Sequence, residues 1–209
     1  MATPTARDKI LEAAHDLVFE VGFTGTTVDA ILAATGTSKG AFFHHFPTKG
    51  ALGKALIERY AELDAAVLDQ YMTRAEELTD DPAEQLLEFL RGFEADIEAG
   101  LITQPGCLFA SYLYERIPEE AESDRVILAA IALWRGRILE KLEQAVAVRP
   151  PAVDVDLESL ADHVWAVFEG GFILGRAVGD QIRLRDQLRQ LRTYLTLLLG
   201  VEASAGESP

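Results

Sequence analysis

Four groups able to donate to a polyanion, Lys39, His44, His45 and Lys49, fall within the stretch Ser38-Lys39-Gly40-Ala41-Phe42-Phe43-His44-His45-Phe46-Pro47-Thr48-Lys49. At helical spacing such donors suit two jobs on duplex nucleic acid, reading base edges in the major groove and clamping phosphates to fix the register. Lys39 and His44 are the candidates for the first job, with Gly40 and Ala41 keeping the approaching face thin. His45, Thr27 and Lys49 are the candidates for the second. Ser38, able to cap the helix, and Phe43 complete the set. Phe42 and Phe46, four residues apart, anchor the opposite face to a core. For Phe43 two readings stay open, stacking beside the sugar-phosphate backbone and simple packing. Arg7 is likewise either an N-terminal arm to a phosphate or a solvated charge. Adjacent histidines on a helix diverge by about 100° and cannot serve one metal ion, so no metal and no cofactor is expected.

These residues need short helices to carry them. Ile10, Leu11, Ala14, Leu17, Val18 and Val21 form the apolar stripe of a first helix ending at Gly22. Thr26 and Asp29, ahead of Val28, Ile31 and Leu32, match a capping box opening a second helix that Gly36 stops. Thr37 or Ser38 caps a third, Lys39 to Phe46. Pro47 and Thr48 end it and start a long fourth with the stripe Leu52, Leu56, Tyr60, Leu63 and Val67. Two short helices across a glycine-containing turn make a helix-turn-helix.

Residues 5 to 60 resemble the DNA-binding domain of the TetR/AcrR family of bacterial transcriptional regulators. The resemblance is carried by Thr5 to Ala14, Gly22-Phe23, Thr26-Thr27 and above all Ser38 to Lys49. The chain departs from the family's usual Ile-Ala-x-x-Ala-Gly-Val-Ser with Ile31-Leu32-Ala33-Ala34-Thr35-Gly36-Thr37-Ser38. It also has Phe43 at a frequent tyrosine position, which removes a hydroxyl that would bond a phosphate. The resemblance implies a recognition helix at Lys39 to Phe46, a homodimer formed through the last two helices as a four-helix bundle, and a small-molecule effector domain behind the DNA-binding head.

Charge first argues the other way, since the net charge is −15 and a polyanion repels nucleic acid. Its distribution removes the objection. Residues 1 to 60 hold six Lys/Arg and six Asp/Glu, so the whole excess lies beyond residue 60. Asp8, Glu12, Asp16 and Glu20 recur every four residues and share one stripe of the first helix. Residues 21 to 57 then carry Lys39, Lys49 and Lys54 against Asp29 alone. With 49% apolar and 25% charged residues in 209, the chain has material for two unequal domains. No apolar run marks a signal peptide or membrane span, and the single cysteine, Cys107, excludes an intrachain disulfide; a cytoplasmic protein is expected.

Beyond residue 60 periodicity carries the reading. Breaks at Asp80-Asp81-Pro82, Gln104-Pro105-Gly106, Ile117-Pro118, Arg149-Pro150-Pro151 and Gly179-Asp180 predict helices over about 83 to 100, 107 to 116, 119 to 148, 155 to 178 and 181 to 199. The fold class is therefore all-α, nine helices. Residues 1 to 50 form a three-helix DNA-binding domain, 51 to 200 a ligand-binding and dimerisation domain, and 201 to 209 a disordered tail. Leu184, Leu188, Leu191, Leu195 and Leu198 step as a coiled-coil seam, and Gly170, Gly171 and Gly175 in an apolar helix call for close backbone approach. These eight are the candidate dimer residues. Phe89, Phe93, Cys107, Phe109, Tyr112, Trp134, Trp165, Phe168 and Phe172 are the candidate ligand lining, aromatic enough for an apolar small molecule.

Cys107 opens a helix after Pro105-Gly106, where the helix dipole favours a thiolate, and "GCLF" resembles the electrophile-sensing cysteine segment of some family members; packing at the junction is the plainer alternative. No nucleophile–base pair, phosphate loop or zinc-binding helix pair is present, so no enzyme is expected. A helical adaptor without DNA would explain the acidic C-terminal part but not Lys39 to Lys49. The sequence thus points to a homodimeric, ligand-responsive DNA-binding regulator, a repressor released by an apolar effector, with thiol sensing through Cys107 as the alternative.

Overall fold

The structure is a computed structural model that describes residues 5–115 and 121–202. The expected break at Ile117-Pro118 and nearly all of the expected disordered tail lie outside these residues. The described residues form nine helices and no strand: α1 (Ala6–Gly25), α2 (Val28–Thr35), α3 (Lys39–His45), α4 (Lys49–Leu78), α5 (Pro82–Glu98), α6 (Leu108–Glu115), α7 (Ala121–Val148), α8 (Leu157–Val178) and α9 (Ile182–Leu198). No described helix is long and apolar enough to cross a membrane. The packing divides the chain into two compact units, but not at residue 50: the first holds residues 1–64 and 107–130, the second 65–106 and 131–209. Helix α6 and the start of α7 therefore belong to the unit containing the helix-turn-helix.

In the first unit, α1 opens with a capping box of Thr5 and Asp8, which the reading of the first helix did not include. Thr5 Oγ1 accepts from the Asp8 amide at 3.2 Å while Asp8 accepts from the Thr5 amide at 3.1 Å. The helix does not end at Gly22. That residue takes φ 77°, ψ 168°, a kink open to glycine, and the helical turn resumes to Gly25. Thr26 is consequently spent on closing α1, its hydroxyl donating to Gly22 O at 2.7 Å, and the cap of α2 is Thr27, which accepts from Ala30 N at 3.1 Å. Ile10, Leu11, Ala14 and Val18 are buried as expected, but Val21 is exposed and Phe19 and Phe23 take its place in the core. The stripe of α4 corrects in the same way: Leu52, Leu56 and Tyr60 are buried, whereas Leu63 and Val67 are exposed and Leu68, Tyr71 and Met72 are buried. A straight helix turns once per about 3.6 residues, so a spacing of mostly four drifts off the buried face within a few turns.

The second unit is built round α5, buried along much of its length, which packs against α9, itself packed against α8. Asp81 caps α5 by accepting from Ala83 N at 2.9 Å, and it pairs with Arg149 just beyond α7, Nη2 to Oδ2 2.6 Å. The Arg149 hydrogen bond holds the Asp81 carboxyl below the usual carboxylate range. Glu94 of α5 and Arg192 of α9, both buried, meet through two hydrogen bonds of 2.7 and 3.3 Å, and Arg189 adds a third at 3.3 Å. A buried pair of this kind fixes register between two helices, because either charge alone in the interior would be strongly destabilising.

Candidate nucleic-acid interface

Helix α3 is held by Phe42 and Phe46, which are 0% and 2% exposed and lie 6.0 Å apart between ring centroids. Ser38 caps it, its Oγ accepting from Ala41 N at 3.2 Å, and Gly36 ends α2 in the left-handed conformation that turns the chain toward it. With Phe42 turned inward, Ser38, Lys39, Gly40, Phe43 and His44 are all exposed, and His45 is half-buried. Nothing lies within 4 Å of the place a side chain would occupy at Gly40, so this surface is open to close approach. Phe43 stays 41% exposed while meeting Phe42 edge-on at 5.2 Å, so it both packs and presents a ring edge to solvent. Arg7 is exposed, with its guanidinium 5.4 Å from the Phe46 ring centroid.

Thr27 and Lys49 have further ties. Thr27 is exposed immediately before α2 and caps that helix with its oxygen, leaving its O–H to donate outward. Lys49 Nζ donates to Thr24 O at 3.2 Å and lies 4.7 Å from the Phe23 ring centroid. It is anchored at the α1 corner, a position from which the sequence could not separate it.

The nine ligand candidates divide between the units. Phe89, Phe93, Trp134, Trp165 and Phe168 form one interlocked cluster in the second unit, with centroid separations from 5.0 to 6.5 Å, and Phe172 packs against the same core. Tyr71, absent from the candidate list, joins them by stacking on Phe93 at 3.7 Å and donating to Asp96 at 2.6 Å. Burial and that bond push its phenol well above its usual range. Cys107, Phe109 and Tyr112 instead belong to the first unit. Phe109 meets Tyr60 edge-on at 4.8 Å and Tyr112 meets Phe23 at 5.1 Å. Cys107 is only 7% exposed, which favours packing over reaction with a solute.

The dimer candidates need correction. Leu184, Leu188, Leu191, Leu195 and Leu198 are buried in the core of their own protomer, packed with α5, so this seam is intramolecular. Gly171 and Gly175 serve the same inward approach: a Cβ at Gly171 would stand 2.5 Å from Leu184 Cδ1, and one at Gly175 3.1 Å from Gln181 Oε1. Gly170 alone of the three has open space before it. What α8 and α9 present outward is Ile173, Leu174, Val178, Tyr194 and Leu197, all exposed, next to a shallow groove lined by His163, Gly170, Leu174 and Gln187. The heptad step is blind to which of two apolar faces looks inward.

A capped, aromatic-anchored second helix of a helix-turn-helix, followed by a helical core, defines a regulator of the helix-turn-helix class. Residues 10–56 match the bacterial regulatory proteins of the tetR family and residues 82–191 the tetracyclin repressor-like C-terminal domain, and the chain belongs to the TetR family. It is 28% identical over 173 residues to the transcriptional regulator AcuR of Cereibacter sphaeroides, covering 80% of this chain and 75% of AcuR. It is 26% identical to the transcriptional repressor DhaR of Mycobacterium sp. strain GP1 over the full length of both. Among solved structures, regulatory protein TetR from Rhodobacter sphaeroides superposes with a TM-score of 0.75 at 25% identity, covering 90% of this chain and 98% of that one. The protein is thus a DNA-binding transcriptional regulator and not an enzyme.

Proposed function

We propose that the protein is a homodimeric repressor that leaves a pseudo-palindromic operator when an apolar small molecule, aromatic or acyl-chain-bearing, enters the second unit. The observation that carries the effector half is the ring cluster of Phe89, Phe93, Trp134, Trp165 and Phe168, five large aromatics from three helices in mutual contact. Aromatic walls of this kind accept apolar ligands, and the Tyr71 hydroxyl bonded to Asp96 supplies a polar group at their edge. Two helices, α4 and α7, contribute residues to both units, so rearrangement at the cluster is carried along continuous helices toward Lys49. An effector must favour the DNA-incompetent arrangement, and a coupling of about 1–3 kcal/mol is typical. The repressor role draws on the likeness to the transcriptional repressor DhaR.

Trp134 and Trp165 are the two tryptophans of the chain and both sit in the cluster, so quenching reports its occupancy directly. Candidate ligands that quench should also lower affinity for a duplex selected by the protein from a random pool. Quenching ligands that leave that affinity unchanged would remove the effector reading, and failure to select any duplex would remove the operator.

A further inference from the structure

The corner between α1 and α2 is tied down by a residue from far along the chain. Glu115, the last residue of α6, accepts from the Phe23 amide at 2.7 Å and from the Thr24 amide at 2.6 Å, one donor to each carboxylate oxygen. These donors exist because Gly22 leaves the helical conformation, so the amides after the kink lose the regular partners that an unbroken α1 would give them. The corner is shaped to receive the carboxylate: a Cβ at Gly22 would run into Glu115, and its φ of 77° already disfavours any other residue. A second contact seats α6 against α4. At Gly53 a Cβ would stand 2.5 Å from the Tyr112 hydroxyl and 2.6 Å from the Phe23 ring, so the missing side chain admits both groups.

We propose that Glu115 is a positioning residue for DNA binding, fixing the Phe23–Thr24 corner and through it Lys49 and the start of α2. Thr24 is the hinge of this arrangement, because its amide is held by Glu115 of α6 while its carbonyl is held by Lys49 of α4. Thr27, which caps α2 and is a candidate phosphate contact, follows three residues later. Displacing α6 therefore frees the corner on which a candidate phosphate clamp rests, without any change in the side chains of α3. The inference rests on the DNA-binding reading above.

The test uses the full-length protein and the duplex that the wild type selects from a random pool. Glu115→Ala should raise amide hydrogen exchange at Phe23 and Thr24 at least tenfold and weaken duplex binding at least tenfold. Glu115→Gln should fall between, since its carboxamide oxygen accepts one amide while its NH2 faces the other. The sign separates positioning from charge, because removing a carboxylate near a phosphate-binding surface would by electrostatics alone tighten binding. Trp134 and Trp165 emission monitors the fold of the second unit, and if Glu115→Ala does not fold, Glu115→Gln decides with the same signs. Binding within twofold of wild type, or tighter, in a folded variant overturns the role of Glu115 and leaves the proposed function standing. A wild type that selects no duplex overturns the proposed function itself, and the positioning role with it.

Discussion

At the residue scale, the candidate recognition surface separates groups by what anchors them. Lys39 is exposed at the start of α3, where a side chain can enter the major groove. Lys49 is already tied to Thr24 and Phe23. We expect Lys39→Ala to cost about 1–3 kcal/mol on the preferred operator and to relax specificity, and Lys49→Ala to weaken all duplexes alike while lowering the salt slope by about 1. Binding titrations of both variants on matched and mismatched duplexes at several salt concentrations check this; equal slopes and equal specificity losses would erase the distinction. Most of this surface was legible in the sequence, because Ser38 to Lys49 is one contiguous segment whose capping, aromatic anchor and exposed donors are local properties. Glu115 was not. Its partners lie 91 and 92 positions away and are backbone amides exposed by the φ of Gly22, for which side-chain patterns carry no signal.

At the scale of elements, helix starts and ends followed their capping residues, but the choice among neighbouring caps needed the fold. Thr26 and Thr27 are both plausible caps for α2, and only the continuation of α1 past Gly22 assigns the first to α1 and the second to α2. Asp81 caps α5 more plainly and adds an ion pair to Arg149. Asp81→Ala should destabilise the protein by about 1–2 kcal/mol at neutral pH, as loss of a cap does. Because the folded Asp81 carboxyl is depressed, its contribution is fully present above the unfolded carboxylate pKa and is lost as the pH falls through the lower folded value. Urea denaturation of wild type and variant at pH 7 and in progressively stronger acid should show the gap narrowing on acidification. A gap that widens would contradict the sign.

At the scale of the whole molecule, the seam in α9 shows how a correct periodicity can be assigned to the wrong partner. The step of four and three that joins Leu184 to Leu198 marks an apolar helix face, and both intramolecular packing and dimerisation use such faces. The protomer uses this one for itself, so in the homodimer proposed above a second copy would meet the outward face of Ile173, Leu174, Val178, Tyr194 and Leu197, an exposed apolar patch of the sort that marks interaction surfaces. The two placements make opposite predictions. Leu191→Glu buries an unpaired carboxylate in the core of the second unit and should cost several kcal/mol, with loss of the folded state and not only of the dimer. Ile173→Glu combined with Leu197→Glu alters side chains 51% and 78% exposed and should leave helical content and melting of the protomer largely intact while abolishing dimers. A monomer presents one recognition helix where a pseudo-palindrome needs two, about 34–36 Å apart or a multiple of that. The double variant should therefore also lose most of its operator affinity. Analytical ultracentrifugation beside circular dichroism separates the cases. A folded, monomeric Leu191→Glu together with a dimeric Ile173→Glu, Leu197→Glu would return the interface to the leucine seam and show that the outward face has another use.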